Sequence, residues 1–281
     1  MQPEEEIIKR WSGSAPFWEK HREVIREMFA PVTQALVEEA QIGTGQTVLD
    51  IATGPGEPAL SLAALVGPEG KVFGIDPIAG MIEAARRAAE GPGLKNVKFE
   101  VAAADQLPFA ADTFDAVVCR FGAMFFPSPV DAAREILRVL KPGRKMALAV
   151  WHFAEENPFH HLLSFVIDRH IPPAPVDPDA LETFRFAPTG KLQKVLNEAG
   201  AVAVSERLLR FAIQAPISAE DFWAIRLEMS NTLREKIASL SKEQLAEVNR
   251  EALGFLREYS TEGGMSFPAE VNMVSGAKEG R

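Results

Sequence analysis

The sequence predicts an α/β protein with a doubly wound parallel sheet, and three observations support that class. Short runs rich in apolar and β-branched residues recur between positions 47 and 151. Stretches with the apolar spacing of amphipathic helices lie between these runs. The runs are apolar on both faces, which is typical of strands in a parallel sheet that helices cover on both sides.

Before this core, residues 1–42 are predicted to form an N-terminal helical cap. Two helices are expected between positions 5 and 42, and Pro31 is suited to the first turn of the second one. Proline is favourable there because the first backbone N–H groups of a helix have no partner within the helix.

The core itself is predicted over residues 43–152. We place its strands at 47–52, 71–75, 97–102, 114–120 and 145–151. Helices predicted at 58–66, 79–90 and 129–140 connect them. Ligands of such sheets bind at the carboxyl ends of the strands, where the winding reverses beside the first strand.

After the core, residues 153–281 are predicted to hold helical inserts on the substrate side and the last two strands of the same sheet. One helix follows position 156 and is ended by prolines at 172, 173 and 175, and another covers 188–199 and stops at Gly200. Strands are predicted at 201–215 and 267–277. A helical insert at 218–259 separates them, with Ser218 and Ser241 as N-caps of two helices.

Composition restricts the class of function. The chain has 281 residues, 47% of them hydrophobic, and a net charge of −9, so it lacks the basic character of a nucleic-acid-binding protein. The N-terminus lacks a signal-peptide pattern, no apolar run is long enough to span a membrane, and Cys119 is the single cysteine. We therefore expect a cytoplasmic protein with a small-molecule partner and no metal site, and a homodimer is compatible with the sequence.

The stretch VLDIATGPGEPAL, residues 48–60, predicts a ligand-binding turn. Thr53, Gly54 and Gly56 leave the first strand tightly, and glycine lets the backbone approach a ligand closely. The next helix directs free N–H groups at the same place. At the end of the second strand, Asp76 is positioned to accept hydrogen bonds from the two hydroxyls of a ribose. The predicted ligand is a nucleoside derivative.

Two cofactors match this pattern. Residues 54–59, GPGEPA, fit the dinucleotide fingerprint G-x-G-x-x-G/A, which leaves a nicotinamide-dependent enzyme open. Residues 50–56 read D-x-A-x-G-x-G and resemble motif I of the class I S-adenosylmethionine-dependent methyltransferases, usually D-x-G-x-G-x-G. Ala52 replaces the first glycine of that motif and slightly narrows the space beside the methionine part of the cofactor.

Further segments carry the same resemblance in the same order along residues 47–151. They are GIDPIAGMIEAARRAA at 74–89, ADQLPFAADTFDAVVCRFGAMFF at 104–126 and EILRVLKPGRKMALAVW at 135–151. The resemblance implies a Rossmann-like sheet of order 3-2-1-4-5-7-6 with an antiparallel last strand. It also implies S-adenosylmethionine as cofactor and S-adenosylhomocysteine as product. The chain is most similar to bacterial small-molecule enzymes such as the quinone-biosynthesis C-methyltransferases.

The resemblance assigns Asp76 to the ribose and Met81 to the adenine. The family's usual acid near the adenine is missing, and either the side chain of Asp105 or the backbone at Ala104 and Asp105 replaces it. Arg120 either binds the cofactor carboxylate or forms a structural salt bridge. The full set of expected cofactor residues is Asp50, Ala52, Thr53, Gly54, Gly56, Asp76, Pro77, Met81, Ala104, Asp105, Gln106, Arg120 and Phe121.

The acceptor pocket is expected outside the matched core. Its candidate residues are Trp11, Phe17, Trp18, Met124, Phe125 and Trp151, and His152 is the candidate general base. The predicted function is methyl transfer to a phenol, a quinone precursor or a similar metabolite. The alternatives are an NAD(P)-dependent oxidoreductase and a non-catalytic S-adenosylmethionine-binding protein.

Overall fold

One mixed sheet of eight strands forms the centre of the computed structural model, which describes residues 3–91, 93–171 and 180–280. The strands are β1 Thr47–Ile51, β2 Lys71–Asp76, β3 Val97–Val101, β4 Phe114–Arg120, β5 Leu140–Trp151, β6 Val202–Ala215, β7 Ser260–Thr261 and β8 Gly264–Ala277. Their order across the sheet is β3-β2-β1-β4-β5-β8-β6, and β7 pairs with β8 at the side.

The predicted order is confirmed, with β8 as the seventh strand of the prediction. The first five strands are parallel, whereas β8 runs antiparallel to both β5 and β6. The two-residue strand β7 was not predicted. Strand β5 begins at Leu140 rather than at position 145, because Leu140 already pairs with Phe114 of β4 before a register shift.

Helices cover the sheet and extend beyond it on both sides. They are α1 Pro3–Ser12, α2 Ala15–Lys20, α3 Arg22–Met28, α4 Ala30–Glu39, α5 Ala59–Val66, α6 Ala79–Glu90, α7 Pro129–Val139, α8 Pro158–Asp168, α9 Lys191–Ala199, α10 Ala219–Met229, α11 Asn231–Ala238 and α12 Lys242–Leu256. Within the described ranges, none of these helices combines the length and apolarity that a membrane span requires.

Two helix predictions were wrong in number. The N-terminal segment forms four short helices, α1 to α4, instead of two. The break at Phe29, just before Pro31 in the first turn of α4, agrees with the prediction, whereas the breaks at Ser14 and His21 were not predicted. The insert holds three helices instead of two, because Ser230 caps α11 by accepting a hydrogen bond from the Leu233 N–H. The breaks at His21 and Ser230 were missed because neither residue is a glycine or a proline, whereas Gly13 was an available signal for the break before α2.

Several predicted helix ends are confirmed. Ser218 accepts from the Asp221 N–H, and Ser241 forms a reciprocal capping box with Gln244. Gly200 ends α9 in the left-handed conformation at φ 96°. The prolines predicted to end the helix after position 156 lie outside the described residues.

Three phenylalanine rings attach the C-terminal insert to the sheet. Phe222 of α10 contacts Phe267 of β8 at a centroid distance of 4.7 Å. Phe159 of α8 contacts the same two rings at 5.6 Å and 6.0 Å. All three side chains are fully buried, so α8 and α10 are fixed against the sheet beside the carboxyl ends of its parallel strands.

Gly74, in the middle of β2, allows close packing between the sheet and the loop after β1. A Cβ at this position would lie 2.6 Å from the Phe99 ring and 2.9 Å from the Thr53 hydroxyl. A side chain here therefore has no space without a shift of both neighbours.

We expect Gly74→Ala to lower the free energy of unfolding by about 2 kcal/mol through overpacking. Gly254→Ala is the matched control, because Gly254 is exposed in α12 and a Cβ there meets nothing within 4 Å. That substitution should raise stability by about 0.5–1 kcal/mol through helix propensity. Urea denaturation measures both, and equal effects of the two substitutions would contradict the packing argument.

Candidate functional site

A cavity opens at the carboxyl ends of the parallel strands. Residues 52–55, 76–78, 120–122 and Trp151, at the ends of β1, β2, β4 and β5, line one side of it. Helices from both flanking regions line the other side through Trp11, Trp18, Phe29, Phe159 and Met229. The cavity therefore lies where the first crossover of the sheet was predicted to bind a ligand.

The turn after β1 is held by backbone hydrogen bonds. The Thr53 N–H donates to the Ile75 carbonyl at 2.9 Å, and the Gly56 N–H donates to the Thr53 carbonyl at 3.1 Å. Gly54 and Gly56 have φ angles of 55° and 110°, which favour glycine. The turn can thus reverse direction between β1 and α5 within a few residues.

Ala52 has a left-handed backbone, with φ 58°, at the position where the motif usually has glycine. The methyl group fits because Gly122, on the loop after β4, leaves space for it. A Cβ on Gly122 would lie 2.3 Å from the Ala52 Cβ and 2.9 Å from the Cys119 sulfur. The extra methyl group of Ala52, in the loop after β1, is therefore accommodated by the absence of a side chain at Gly122, in the loop after β4.

Asp50 connects the end of β1 to the start of α5 and so holds the turn between them. Its side chain is completely buried in β1, and its Oδ2 accepts a hydrogen bond from the Ala59 N–H at the start of α5, at 3.0 Å. Burial raises the pKa of this carboxyl to about 7, against the opposing effects of the Thr53 hydroxyl, the Arg120 charge and the Ala59 N–H. Asp50 does not line the cavity, so its role is to fix the turn that does.

Asp76, at the end of β2, connects two loops of the cavity wall. Its Oδ2 accepts from the Gly54 N–H and its Oδ1 from the Ile78 N–H, both at 3.0 Å. Burial raises the pKa of Asp76 to about 6, and the two backbone N–H groups oppose that rise. Each oxygen retains capacity for a further hydrogen bond on the cavity side.

Beside Asp76 the wall is apolar, with one polar group at its rim. Ile78 and Met81 are buried against Ala15 of α2, and both line the cavity. Ala104 and Asp105 line it from the loop after β3. This flat apolar surface next to a carboxylate suits a nucleoside whose base lies on Met81.

Arg120 lies at the end of β4 and lines the cavity. Its Nη1 donates to the Thr33 hydroxyl at 2.8 Å, and its Nη2 donates to the Glu57 carbonyl at 3.2 Å. Burial lowers the pKa of Arg120, whereas the charges of Glu57 and Asp50 raise it. The contacts of Arg120 include no ion pair closer than 4 Å within the described chain, although its charge lies near those two carboxylates.

The remaining part of the cavity is aromatic. Trp151 stacks on Phe121 with a centroid distance of 4.3 Å and an interplanar angle of 2°. Trp11 contacts Trp18 and Phe125 edge to face at 5.6 Å and 5.3 Å. A flat apolar ligand can therefore be held between rings from the sheet and rings from the N-terminal helices.

Most of the predicted site residues meet at this cavity. The predicted residues that line it are Ala52, Thr53, Gly54, Asp76, Pro77, Met81, Ala104, Asp105, Arg120, Phe121, Trp11, Trp18, Met124, Phe125 and Trp151. Asp50, Gly56 and Gln106 lie behind the wall or beside it. Phe17 does not line the cavity, because its ring faces Arg234 of α11 at 4.6 Å.

His152 is also absent from the cavity wall, which corrects its placement as a general base. Successive residues at the end of β5 point to opposite sides, and Trp151 takes the side of the cavity. The His152 Nδ1 lies 3.1 Å from the Ala187 carbonyl, and its Nε2 lies 3.8 Å from Glu270. Its position after a strand was predictable, whereas the side it faces was not.

The sequence analysis missed several polar residues of the cavity, among them two from the C-terminal helices. His160 of α8 and Arg226 of α10 line its aromatic part, with Arg226 Nη2 3.3 Å from His160 Nδ1. Arg226 follows the buried residues Phe222 and Trp223 at helical spacing. A charge on the apolar face of an amphipathic helix was the available signal.

Comparisons with known proteins agree with this geometry. Residues 48–143 match a family described as "Methyltransferase domain". The chain is 36% identical over 123 residues to the "Uncharacterized methyltransferase YcgJ" of Bacillus subtilis, covering 44% of this chain and 47% of that protein. It is 38% identical over 135 residues to the ubiquinone/menaquinone biosynthesis C-methyltransferase UbiE of Pseudomonas fluorescens, covering 48% of this chain and 51% of that protein.

Solved structures share the fold. The crystal structure of YcgJ superposes with a TM-score of 0.58 at 21% identity, covering 90% of this chain and all of that one. Phosphoethanolamine N-methyltransferase 2 of Haemonchus contortus, solved with S-adenosyl-L-methionine, has a TM-score of 0.56 at 16% identity, covering 93% of this chain and 57% of that one. In sequence, the chain spans about half the length of the curated relatives it matches.

The packing of Ala52 against Gly122 predicts strong coupling between the two positions. Gly122 has φ −101°, which alanine adopts without strain, so only the contacts of the new methyl with the Ala52 Cβ and the Cys119 sulfur oppose Gly122→Ala. We expect this substitution to lower the free energy of unfolding by about 2–3 kcal/mol. In the Ala52→Gly background, Gly122→Ala should lower the free energy of unfolding by less, the difference being about 1 kcal/mol or more. Urea denaturation of all four proteins of the double-mutant cycle measures this difference. Additive effects would contradict the contact.

The raised pKa of Asp50 predicts a pH dependence of stability. The pKa of this carboxyl is near 3.8 in the unfolded chain and near 7 in the folded chain. Protonated Asp50 therefore contributes fully to the free energy of unfolding below about pH 3.8, and this contribution is lost as pH rises through about 7. Between about pH 5 and about pH 8, we expect the parent to lose roughly 2 kcal/mol more unfolding free energy than Asp50→Asn.

Asp131→Asn is the control for this measurement, because Asp131 is an exposed carboxylate on α7. Its stability curve should run parallel to that of the parent over the same pH range. Parallel curves for the parent and Asp50→Asn would show that Asp50 is already ionised in the fold.

Proposed function

We propose that the protein is an S-adenosylmethionine-dependent methyltransferase, because residues 48–143 match a family described as a methyltransferase domain. Its acceptor is a small molecule, namely a phenol, a quinone precursor or a similar metabolite, and it works in the cytoplasm. The observation that carries the proposal is the Asp76 carboxylate, held by two loop N–H groups at the edge of an apolar wall.

The residues of the site fit this cofactor. Asp76 has one free acceptor direction on each oxygen, which matches the two hydroxyls of a ribose. Ile78 and Met81 offer an apolar surface of the kind an adenine covers. The Thr53 side chain lies in the wall beside the Asp50 carboxyl, where the amino-acid part of the cofactor would reach it.

The cofactor, when bound, supplies a methyl group on a positively charged sulfur. The protein then has to orient this group toward the acceptor and exclude water. We assign the sugar of the cofactor to Asp76, its adenine amino group to Asp105 and its carboxylate to Arg120, and these residues would hold the three groups. Each Nη of Arg120 still has a second N–H for that purpose.

The acceptor end is formed by aromatic side chains. Trp151 and Phe121 form a flat wall, and Trp11 and Trp18 cover the cavity from the N-terminal helices. Such walls bind flat, apolar acceptors and keep water away from the reacting atoms. Alignment alone accounts for much of the acceleration of a displacement at an activated carbon. The proposal therefore assigns no general base.

Binding of the cofactor product tests the proposal. We expect S-adenosylhomocysteine to bind the parent in titration calorimetry and to raise its melting temperature, whereas NADH and NADPH do neither. Asp76→Ala should weaken this binding about 100-fold or more, because two hydrogen bonds to a carboxylate are lost. Asp76→Asn, which keeps one acceptor oxygen, should be intermediate.

Asp131→Ala is the matched control, since it removes an exposed carboxylate away from the cavity and should leave binding unchanged. Binding of NADH instead of S-adenosylhomocysteine would overturn the proposal in favour of an oxidoreductase. Cofactor binding without transfer of labelled methyl groups to any of a panel of phenols, quinols and aryl carboxylates would favour a non-catalytic binding protein.

A further inference from the structure

The acceptor end of the cavity contains a buried cation. Arg226 exposes 9% of its surface and lines the aromatic part of the cavity. Its guanidinium lies 4.4 Å from the centroid of the Phe159 ring, and its Nη2 donates to His160 Nδ1 at 3.3 Å. Within the described ranges, no carboxylate lies within ion-pair distance of it. Burial lowers the pKa of Arg226 to about 10, so the group stays charged at neutral pH.

A buried charge of this kind is unfavourable without a counter-ion. The Phe159 ring and one hydrogen bond donated to a neutral imidazole compensate it only in part. Arg226 Nε is buried and has no partner among the described residues. The chain therefore leaves a guanidinium in an apolar pocket with hydrogen-bonding capacity that its own groups do not use.

His160 adds a second donor at the same place. Arginine can only donate, so His160 Nδ1 must accept, and the neutral ring then has its proton on Nε2. Burial and the Arg226 charge lower the pKa of His160 well below its ordinary value, which keeps the ring neutral. Its Nε2 is buried and unpartnered in the described structure. In this tautomer His160 Nε2 is a donor, so it does not serve as a general base.

The aromatic rings locate this pair relative to the cofactor site. The His160 ring contacts Trp151 edge to face at 4.5 Å, and Trp151 stacks on Phe121, beside Arg120. The Phe159 ring under Arg226 also faces Trp151, at 6.3 Å. The Trp151 ring therefore separates Arg226 and His160 from Phe121 and Arg120, which are assigned to the cofactor. This places Arg226 on the acceptor side of the cavity.

We infer that Arg226, with His160 beside it, binds a negatively charged oxygen on the methyl acceptor and so selects flat apolar acceptors that carry one oxyanion. This inference rests on the proposed function. The oxyanion is a carboxylate, or a phenol that ionises on binding, since both present an oxygen acceptor to a guanidinium. Arg226 is a specificity-determining residue, because it binds a group of the acceptor other than the atom that receives the methyl.

The test measures binding in the presence of saturating S-adenosylhomocysteine, with 2-naphthoate and its neutral analogue 2-naphthamide as probes in titration calorimetry. We expect the parent to bind 2-naphthoate about 10-fold or more tighter than 2-naphthamide. Arg226→Met should abolish this preference by weakening 2-naphthoate alone. Arg226→Lys, which keeps the charge and loses the planar fork, should retain part of it.

A third probe, 2-naphthol, identifies the source of the oxyanion. Tight binding with an absorbance change to the naphtholate form assigns it to an ionised phenol, whereas a preference confined to 2-naphthoate assigns it to a carboxylate. Both results support the inference. An equal preference in the parent and in Arg226→Met, or no preference in the parent, overturns it.

Stability separates recognition from a structural role. Arg226→Met should fold with an unchanged or higher melting temperature, because it removes an uncompensated buried charge and keeps a long side chain. A lower melting temperature with an unchanged ligand preference would make Arg226 a structural residue. Arg250→Met, on the exposed face of α12, is the matched control and should change neither quantity.

The two proposals fail in different ways. Loss of S-adenosylhomocysteine binding in the parent contradicts the proposed function before any acceptor probe is added. If the parent and Arg226→Met both bind S-adenosylhomocysteine and show the same preference for 2-naphthoate over 2-naphthamide, only the role of Arg226 is contradicted.

Discussion

The hydrogen bond from the Gly54 N–H to the Asp76 carboxylate is the contact on which the site depends. It joins the turn after β1 to the end of β2, and the second oxygen of Asp76 holds the start of the next crossover through Ile78. Asp50 does the same one strand away, between β1 and α5. Two buried carboxylates thus set the relative positions of the loops after β1 and β2, and the energetic cost of burying them appears in their raised pKa values.

The cofactor end of the site could be predicted from sequence because its residues lie at fixed steps from strand ends. Gly54 and Asp76 follow from the apolar runs and the glycine spacing, and Asp50 follows from the resemblance of residues 50–56 to motif I. Ala52 was noted as a departure from the motif, but its compensation by Gly122 could not be predicted. The two positions are far apart in the chain, and only the packing of the loops after β1 and β4 brings them together.

The acceptor end could be predicted only in part. Trp11, Trp18 and Trp151 were identified as candidates from their aromatic character, whereas Arg226 and His160 belong to two helices that meet only in the fold. His152 shows the opposite error, since its place after β5 was right and its direction was wrong. Side chains alternate between the two faces along a strand. An error of one residue in the predicted end of the strand therefore reverses the predicted direction of the next side chain.

The position of β8 has a consequence for synthesis of the chain. It lies between β5 and β6 although it follows both in sequence, so β6 leaves the ribosome before the strand that it pairs with. Until residues 264–277 emerge, the free edge of β5 and the full length of β6 expose unpaired backbone groups that attract strands of other chains. A nascent chain that stalls before residue 264 is therefore prone to aggregate, even though the loops that line the cavity are already complete.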